Sequence, residues 1–245
     1  MTDSSQTITA IASQEVGLEC LSWLLDEGYP VANVFLGNEK DFEIAHLCET
    51  RDISCTVFSE ESLIRSKEAS WLLSLWNPHL LTPAGLAKAR SRLNLHPALV
   101  PYCRGNDTAA WALMTGVPTG VSLLEMDEGV DTGAIWAQRA IRVSRATRGA
   151  DLLAQMKAEL VALFRSEWPA IFAGSVVPTT QSRLLPAYTR RQTNESRVRD
   201  LDDFKSAGEL FIWLCAHDFA PKSSAELLID GVRYGVTLNL NELPN

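Results

Sequence analysis

The sequence predicts an α/β fold: a doubly wound, mostly parallel β-sheet with helices between the strands. Short apolar segments of strand character alternate with segments of helical periodicity up to about residue 90. Val31–Leu36 is almost continuously apolar, which is typical of a strand buried on both faces of a parallel sheet. After Gly174 the chain becomes polar and rich in arginine. We therefore expect two domains, residues 1–180 and a smaller region of residues 181–245.

The expected strands follow from period-two alternation or from apolar runs bounded by turn residues. They are residues 6–12, 31–36, 55–58, 71–75, a strand ending at 93–95, 120–125 and 133–143. Asp230 and Gly231 separate two further short segments, 226–229 and 232–238, and this dipeptide favours a β-hairpin.

The expected helices begin at capping residues, and several end at glycine. They are residues 13–28, 41–49, a short helix after 59, 82–90, 108–115, 147–173 and 206–216. Thr82 and Pro83 place a proline at the first helical position, where its missing N–H costs nothing. Ser206 and Glu209 have the spacing of a capping box. The C-terminal region should therefore contain one helix and the hairpin.

Composition excludes several classes of protein. The content of 46% hydrophobic and 21% charged residues is that of an ordinary globular protein. No apolar run approaches the roughly 18 residues of a membrane-spanning helix, so we expect no membrane association. The formal net charge of −8 disfavours extensive contact with nucleic acid.

The N-terminus and the cysteines indicate a cytoplasmic protein. Residues 1–6 lack the basic start and apolar core of a signal peptide. The 5 cysteines are scattered and include no Cys-x-x-Cys pair, which favours reduced thiols over disulfides or a zinc site. We expect no metal centre.

Residues that could carry chemistry lie between 91 and 131. Asn94 and His96 are two positions apart at the end of a predicted strand, so both side chains should project to the same side. Asp131 lies in a segment rich in glycine and acid that follows another predicted strand. An amide, an imidazole and a carboxylate can serve acyl transfer as oxyanion donor, proton carrier and orienting group. Taken singly, His96 could be a structural histidine and Asp131 a turn residue.

The string of motifs through this region resembles the formyltransferases that use 10-formyltetrahydrofolate. The motifs are Asn94-Leu95-His96-Pro97, Pro101-Tyr102-Cys103-Arg104-Gly105, Trp111-Ala112, Gly116, Thr119-Gly120-Val121-Ser122-Leu123 and residues 126–133. Cys103 departs from the pattern, since the family more often has Tyr or Phe there. The resemblance implies a Rossmann-like core, 10-formyltetrahydrofolate as formyl donor, and Asn94, His96 and Asp131 as catalytic residues.

The same resemblance implies that two loops, residues 76–81 and 127–133, hold the pteridine of the folate. The residues carried over are Trp76, Leu80, Asp127, Gly129 and Asp131, with His79 as a further candidate. Trp76 could instead belong to the core, and His79 could be a solvated loop residue.

The C-terminal region is similar to the sugar N-formyltransferases in residues 214–221, Ala225, Asp230-Gly231 and Tyr234. This similarity implies a nucleotide-linked 4-amino or 3-amino deoxysugar as acceptor, of the kind used in lipopolysaccharide O-antigen biosynthesis. Arg104 is the expected contact to the nucleotide half. The arginine-rich segment 183–199 could be a solvated connection, or it could bring one or two arginines to a substrate phosphate. The hairpin could complete a two-fold interface, so a homodimer is one expectation.

Four other functions stay open. Glycinamide ribonucleotide transformylase has a glycine-rich phosphate loop after the first strand, where this chain has Gln14 and Glu15. Methionyl-tRNA formyltransferase has a larger C-terminal domain than the segment after residue 180, and the acidic net charge is unsuited to gripping tRNA. A formyltetrahydrofolate hydrolase would use the same three residues, but its relatives carry a domain ahead of the first strand. A folate-binding module would not need those residues.

Overall fold

The computed structural model describes residues 6–222 and 224–241, and the chain divides into two compact units. The first unit comprises Met1–His96, Val121–Arg139 and Lys157–Leu184, and the second comprises Pro97–Gly120, Ala140–Met156 and Leu185–Asn245. The chain passes from the first unit to the second for the last time between Leu184 and Leu185. The earlier passages between the units were not indicated by the sequence, and the division into residues 1–180 and 181–245 stays a prediction.

Twelve strands form the sheets of the described residues. In chain order they are β1 (Ile8–Ala12), β2 (Val31–Leu36), β3 (Ser54–Val57), β4 (Ala69–Leu75), β5 (Ala89–His96), β6 (Arg104–Gly105), β7 (Thr119–Leu124), β8 (Ile135–Ile141), β9 (Ala187–Tyr188), β10 (Val198–Asp200), β11 (Ala225–Ile229) and β12 (Val232–Val236). The main sheet has the order β3-β2-β1-β4-β5-β7-β8.

The helices connect these strands. They are α1 (Gln14–Asp26), α2 (Phe42–Thr50), α3 (Glu60–Arg65), α4 (Pro83–Leu86), α5 (Thr108–Thr115), α6 (Gly149–Phe172), α7 (Arg190–Ser196) and α8 (Ala207–Ala216), with a 3-10 turn at Leu201–Asp203. Among the described residues, no helix combines the length and the apolar character needed to cross a membrane.

Five neighbouring strands of the main sheet, β3-β2-β1-β4-β5, pair in parallel. β7 then pairs with β5 in the antiparallel sense. The predicted α/β class with a mostly parallel sheet is therefore confirmed. Because parallel strands end at one edge, the loops after β1, β4 and β5 open at the same edge of this sheet, where ligands bind in such folds.

Apolar side chains of the strands and helices form the core of the first unit. All five residues of β1 are buried, and so are Val34, Phe35 and Leu36 in the second half of β2. The first half of β2 is more exposed than its apolar sequence predicts. β2 pairs on one side with β3, whose own residues are half-buried or exposed, so the sheet is less covered there.

The predicted helix over residues 82–90 is wrong in its second half. Thr82 caps the helix as expected by accepting a hydrogen bond from the Gly85 amide, but α4 ends at Leu86. β5 begins at Ala89, which pairs with Ala69 of β4, and the Lys88 carbonyl accepts a hydrogen bond from the Ala69 amide. Pairing with β4 thus overrides the local helix propensity.

The second unit contains the predicted hairpin. β11 and β12 pair in antiparallel fashion around Asp230 and Gly231, and β10 adds in parallel to β11. Only half of the expected capping box is present at α8. The Ser206 hydroxyl accepts from the Glu209 amide, but the Glu209 carboxylate accepts from the Lys205 amide instead.

His217 provides a prediction about stability. Burial and the nearby Arg197 guanidinium lower the pKa of this imidazole to about 4, so the folded protein holds it in the neutral form. The unfolded chain has an ordinary histidine pKa of about 6.5 and takes up a proton first as the pH falls. The free energy of unfolding is therefore highest above about pH 6.5, where His217 is neutral in both states. It falls as the pH drops from about 6.5 through about 4, by about 3 kcal/mol in total.

Urea unfolding between pH 7 and pH 4 checks this expectation. As the pH falls, the free energy of unfolding of wild type should decrease more steeply than that of His217→Gln, because the glutamine side chain at this position cannot take up a proton. Parallel pH curves for the two proteins would contradict it.

Candidate active site

Asn94, His96 and Asp131 lie together in the first unit, as the sequence predicted; we call them the polar cluster. Asn94 and His96 stand on the last residues of β5, and Asp131 lies in the loop between β7 and β8. The Asn94 Nδ2 is 3.4 Å from the Asp131 Oδ1, and the His96 Nδ1 is also 3.4 Å from that oxygen. One carboxylate oxygen thus faces both the amide and the imidazole.

The side chains of the polar cluster are largely withdrawn from solvent. The exposed fractions of the His96 and Asp131 side chains are 5% and 13%. The His96 Nε2 is buried and has no hydrogen-bond partner within residues 6–222 and 224–241. A nitrogen in this position can exchange a proton with a bound molecule, while Nδ1 faces the carboxylate.

Asp131 has a backbone conformation that few residues other than glycine adopt. Its φ is 52°, in the left-handed region, where aspartate is tolerated better than most side chains. Gly133 follows closely, and a Cβ at this position would lie 1.9 Å from the Glu125 carbonyl oxygen. Only glycine therefore lets the chain return against the end of β7 after presenting Asp131.

Ser74 is a site residue that the sequence analysis missed. It stands directly opposite Asn94 in the parallel pairing of β4 and β5, and it is buried. Its hydroxyl donates to the Asn94 Oδ1 at 2.6 Å. This bond fixes the amide so that Nδ2, the donor atom, faces Asp131. The only signal in the sequence was a serine within the apolar run 71–75.

The loop that carries Asp127 and Gly129 is held by its own hydrogen bonds. The Asp127 Oδ1 accepts from the Gly129 amide at 3.0 Å and from the Thr132 hydroxyl at 2.5 Å. A Cβ on Gly129 would meet that hydroxyl at 2.0 Å. The structure thus shows these residues shaping the loop, and their contact with folate stays a prediction.

The loop after β4 contains Trp76, His79 and Leu80. Trp76 is half-buried with a φ of 65°, and the Lys157 ammonium lies 5.6 Å from its ring centre. The His79 ring stacks on Phe58, and its Nε2 is 2.8 Å from the Gly37 carbonyl oxygen. His79 therefore anchors the loop. Leu80 is 78% exposed, an apolar surface available to a ligand.

Arg104 lies in the second unit and is buried there. Its Nε donates to the Leu185 carbonyl at 2.9 Å, and its Nη2 contacts the same oxygen. These bonds tie β6 to the segment that enters β9. The structure gives Arg104 this structural contact, and its contact with a substrate stays a prediction.

The arginine-rich segment 183–199 forms β9, α7 and the start of β10. Most of its arginines face carboxylates: Arg190 with Asp107, Arg191 with Glu195, Arg197 with Glu226 and Arg199 with Glu209. The described residues contain no group of three or more His, Cys, Asp or Glu side chains that could hold a metal ion.

Comparison with known proteins gives a family match in the segment that holds most of these residues. Residues 73–163 match the family model described as Formyl transferase, which confirms the resemblance found in the sequence. The methionyl-tRNA formyltransferase of Sorangium cellulosum (strain So ce56) is 33% identical over 96 residues. That alignment covers 39% of this chain and 31% of the relative, so the chain spans about a third of the relative's length.

Several solved structures share the fold over nearly the whole chain. A 4-N formyltransferase from Francisella tularensis has a TM-score of 0.85 at 18% identity, and the alignment covers 97% of this chain and 99% of that protein. A sugar N-formyltransferase from Shewanella sp FDAARGOS_354 has a TM-score of 0.82 at 12% identity, and the alignment covers 98% of this chain and 99% of that protein. The N-formyltransferase from Helicobacter canadensis, in complex with folinic acid and dTDP-3-aminofucose, has a TM-score of 0.75 at 19% identity, covering 92% and 84%.

Proposed function

We propose that the chain, whose residues 73–163 match the Formyl transferase family model, moves a formyl group from 10-formyltetrahydrofolate to the amine of a nucleotide-linked amino deoxysugar. The polar cluster carries this proposal, because its amide and imidazole share one oxygen of the carboxylate as a common neighbour. Solved structures of this fold include a complex with folinic acid and dTDP-3-aminofucose, and a sugar 3N-formyl transferase in the presence of dTDP and 5-N-formyl-THF.

Asn94 would stabilise the tetrahedral intermediate. The amine nitrogen attacks the formyl carbon, and the carbonyl oxygen becomes negatively charged before the bond to folate N10 breaks. The Asn94 Nδ2 carries two hydrogens, of which one points to Asp131. The other can donate to the oxyanion, and the bond from Ser74 to Oδ1 keeps the amide in this orientation.

Asp131 and His96 would move the protons. The attacking amine loses a proton and the departing N10 gains one, so the reaction has no net proton change. The Asp131 carboxylate can accept the amine proton directly or through a water, and His96 can carry a proton on Nε2. Burial of the pair keeps bulk water away from the intermediate.

We place the folate between the loop after β4 and the loop of Asp131. Trp76 and the exposed Leu80 offer apolar and aromatic surface to a pteridine, whose flat ring suits such contacts. Asp127 and Gly129 shape the opposite loop. The hydrogen-bonding edge of the pteridine would then lie near Asp127 and Asp131.

Ser74→Ala tests the orientation of Asn94. The variant removes the hydroxyl that fixes the Asn94 amide but leaves the amide itself, so we expect kcat to fall by about tenfold. The KM values for both substrates should change little, because Ser74 is buried and its hydroxyl is bonded to Asn94. Steady-state kinetics of formyl transfer measure both quantities. A variant with wild-type kcat would remove Ser74 from the catalytic arrangement.

The loop after β1 is not arranged to bind a phosphate. The Ser13 hydroxyl and the Gln14 amide both donate to the Asp41 carboxylate, each at 2.8 Å. The donors that a phosphate would need are therefore occupied by a group of the same charge sign. This favours an amino sugar over glycinamide ribonucleotide as acceptor, and the net charge of −8 is unsuited to a tRNA.

A panel of acceptors tests the proposal. Purified protein and 10-formyltetrahydrofolate are incubated with nucleotide-linked 3-amino and 4-amino deoxysugars, glycinamide ribonucleotide, methionyl-tRNA or buffer alone. Mass spectrometry should show a formyl increment on an amino sugar. Formylation of methionyl-tRNA or of glycinamide ribonucleotide alone would refute the sugar assignment, and formate release in buffer alone at the same rate would indicate a hydrolase.

We also propose that the enzyme works in the cytoplasm as a homodimer in O-antigen biosynthesis. All five cysteines are free thiols, in keeping with a reducing compartment. β12 is the last strand of its sheet, and Val232 and Tyr234 on it are about half exposed. An edge strand with exposed apolar side chains is suited to pairing with a second copy.

A further inference from the structure

Gln181 lies against the loop that presents Asp131, although 50 residues separate the two. It belongs to the first unit and follows Thr179, which exchanges two backbone hydrogen bonds of 2.8 Å with Ile135. The segment around Gln181 therefore runs beside the start of β8 and comes within reach of the loop before it.

The Gln181 amide binds two carbonyl groups of this loop. Its Nε2 donates to the Asp131 carbonyl at 2.9 Å and to the Gly133 carbonyl at 2.8 Å. The orientation of the amide is settled by these partners, because a carbonyl oxygen accepts and cannot donate. Both hydrogens of the amide nitrogen are thus used to hold the residues on either side of Thr132.

The loop is fixed from a second direction as well. The Glu125 amide donates to the Ala134 carbonyl at 2.7 Å, and the Ile135 amide donates to Thr179. These bonds fix the chain after Gly133, but neither reaches Asp131. The Gln181 side chain grips the Asp131 backbone itself, whose φ of 52° is an unfavourable conformation.

We infer that Gln181 is a positioning residue for Asp131: its amide holds the Asp131–Gly133 turn so that the carboxylate faces His96 and Asn94. The inference rests on the proposed function insofar as it concerns formyl transfer. Without the two bonds, the Asp131 backbone can relax out of the left-handed region, and its carboxylate moves away from the His96 Nδ1. A displacement of about 1 Å in a reacting group can cost about a hundredfold in rate.

The amide oxygen of Gln181 also indicates that the two hydrogen bonds of Nε2 are the role of this side chain. Its Oε1 is buried and has no hydrogen-bond partner among the described residues. A buried acceptor left unpaired is destabilising, so an apolar residue would suit this position better if it only filled space. The two bonds of Nε2 to the loop are the benefit that offsets this cost.

Two variants and one matched control test the inference. Gln181→Met keeps the length of the side chain but has no donor, and Gln181→Glu keeps its polarity but sets a carboxylate against two carbonyl oxygens. Gln6→Met is the control, because the Gln6 Nε2 also donates to a backbone carbonyl in the first unit, that of Phe172 at 3.5 Å, away from the polar cluster. Thermal melting shows which variants are folded.

The first readout needs no activity. With four histidines in the chain, the imidazole ¹⁵N resonances of His96 can be assigned by comparison with His96→Gln. In both Gln181 variants we expect these resonances to shift, and amide exchange at residues 131–133 to accelerate by about tenfold or more. Gln6→Met should reproduce the wild-type spectra. Unchanged His96 resonances in a folded Gln181→Met would overturn the inference.

The second readout separates positioning from binding. Gln181→Met should lower kcat by about 10- to 100-fold while both KM values stay within about threefold of wild type. A kcat near that of wild type, or an equal loss in Gln6→Met, would overturn the inference. If wild type formylates no acceptor, the proposed function fails, and the resonance measurement still decides whether Gln181 positions Asp131.

Discussion

Asp131→Asn is expected to lower kcat by at least about a thousandfold while the fold and the affinity for folate are kept. Asparagine is nearly isosteric with aspartate, so the loop and the bonds from Gln181 to its backbone should survive. It cannot accept the amine proton, however, and it offers the Asn94 amide and His96 no negative charge. The same oxygen that serves both neighbours at 3.4 Å would become a neutral amide atom.

Glu128→Gln is the matched control for Asp131→Asn. Glu128 is an exposed carboxylate of the same loop, and its change to an amide alters the net charge by the same amount. Steady-state kinetics, thermal melting and folate binding by fluorescence compare the two variants with wild type. If Asp131→Asn turned over at nearly the wild-type rate, Asp131 would have no part in the chemistry.

Asn94→Ala is expected to lower kcat by about 10²- to 10³-fold, the usual cost of removing one oxyanion donor. The KM for 10-formyltetrahydrofolate should change far less, because the donor is needed most when the formyl oxygen carries negative charge. Kinetics of the purified variant with the acceptor identified by the panel provide the measurement.

A double mutant connects this result to Ser74. If Ser74 acts only by fixing the Asn94 amide at 2.6 Å, Ser74→Ala should have almost no further effect on kcat once Asn94 is alanine. Fully additive losses would show that Ser74 acts by another route, and a small loss in Asn94→Ala itself would remove the oxyanion role.

Several strands of the main sheet follow from local sequence. β1, β4 and β7 are short apolar runs whose residues are largely buried. Continuous apolar runs of this length are typical of strands that are covered on both faces of a sheet. The spacing of Asn94 and His96 places both on one side of β5, since side chains alternate along a strand. The position of Asp131 after another strand made it only a candidate, the resemblance to the formyltransferases implied that it would join them, and it lies beside His96 in the structure.

The end of α4 could not be predicted in this way. Residues 87–90 have an ordinary helical composition, yet Ala89 pairs with Ala69 in the neighbouring strand β4. The free energy of completing a sheet exceeds the few tenths of a kcal/mol by which such residues prefer a helix.

Local sequence was enough to predict the fold class and the apolar runs of the strands, because both depend on periodicity. The three side chains of the polar cluster were predicted through the resemblance of the surrounding motifs to the formyltransferases. How these side chains are held depends on tertiary contacts. Ser74 reaches Asn94 through the register of two parallel strands, and Gln181 reaches the Asp131 loop through a bridge between distant segments. Both contacts join residues far apart in the chain, where local sequence carries no information about which partner a hydrogen-bonding group will meet.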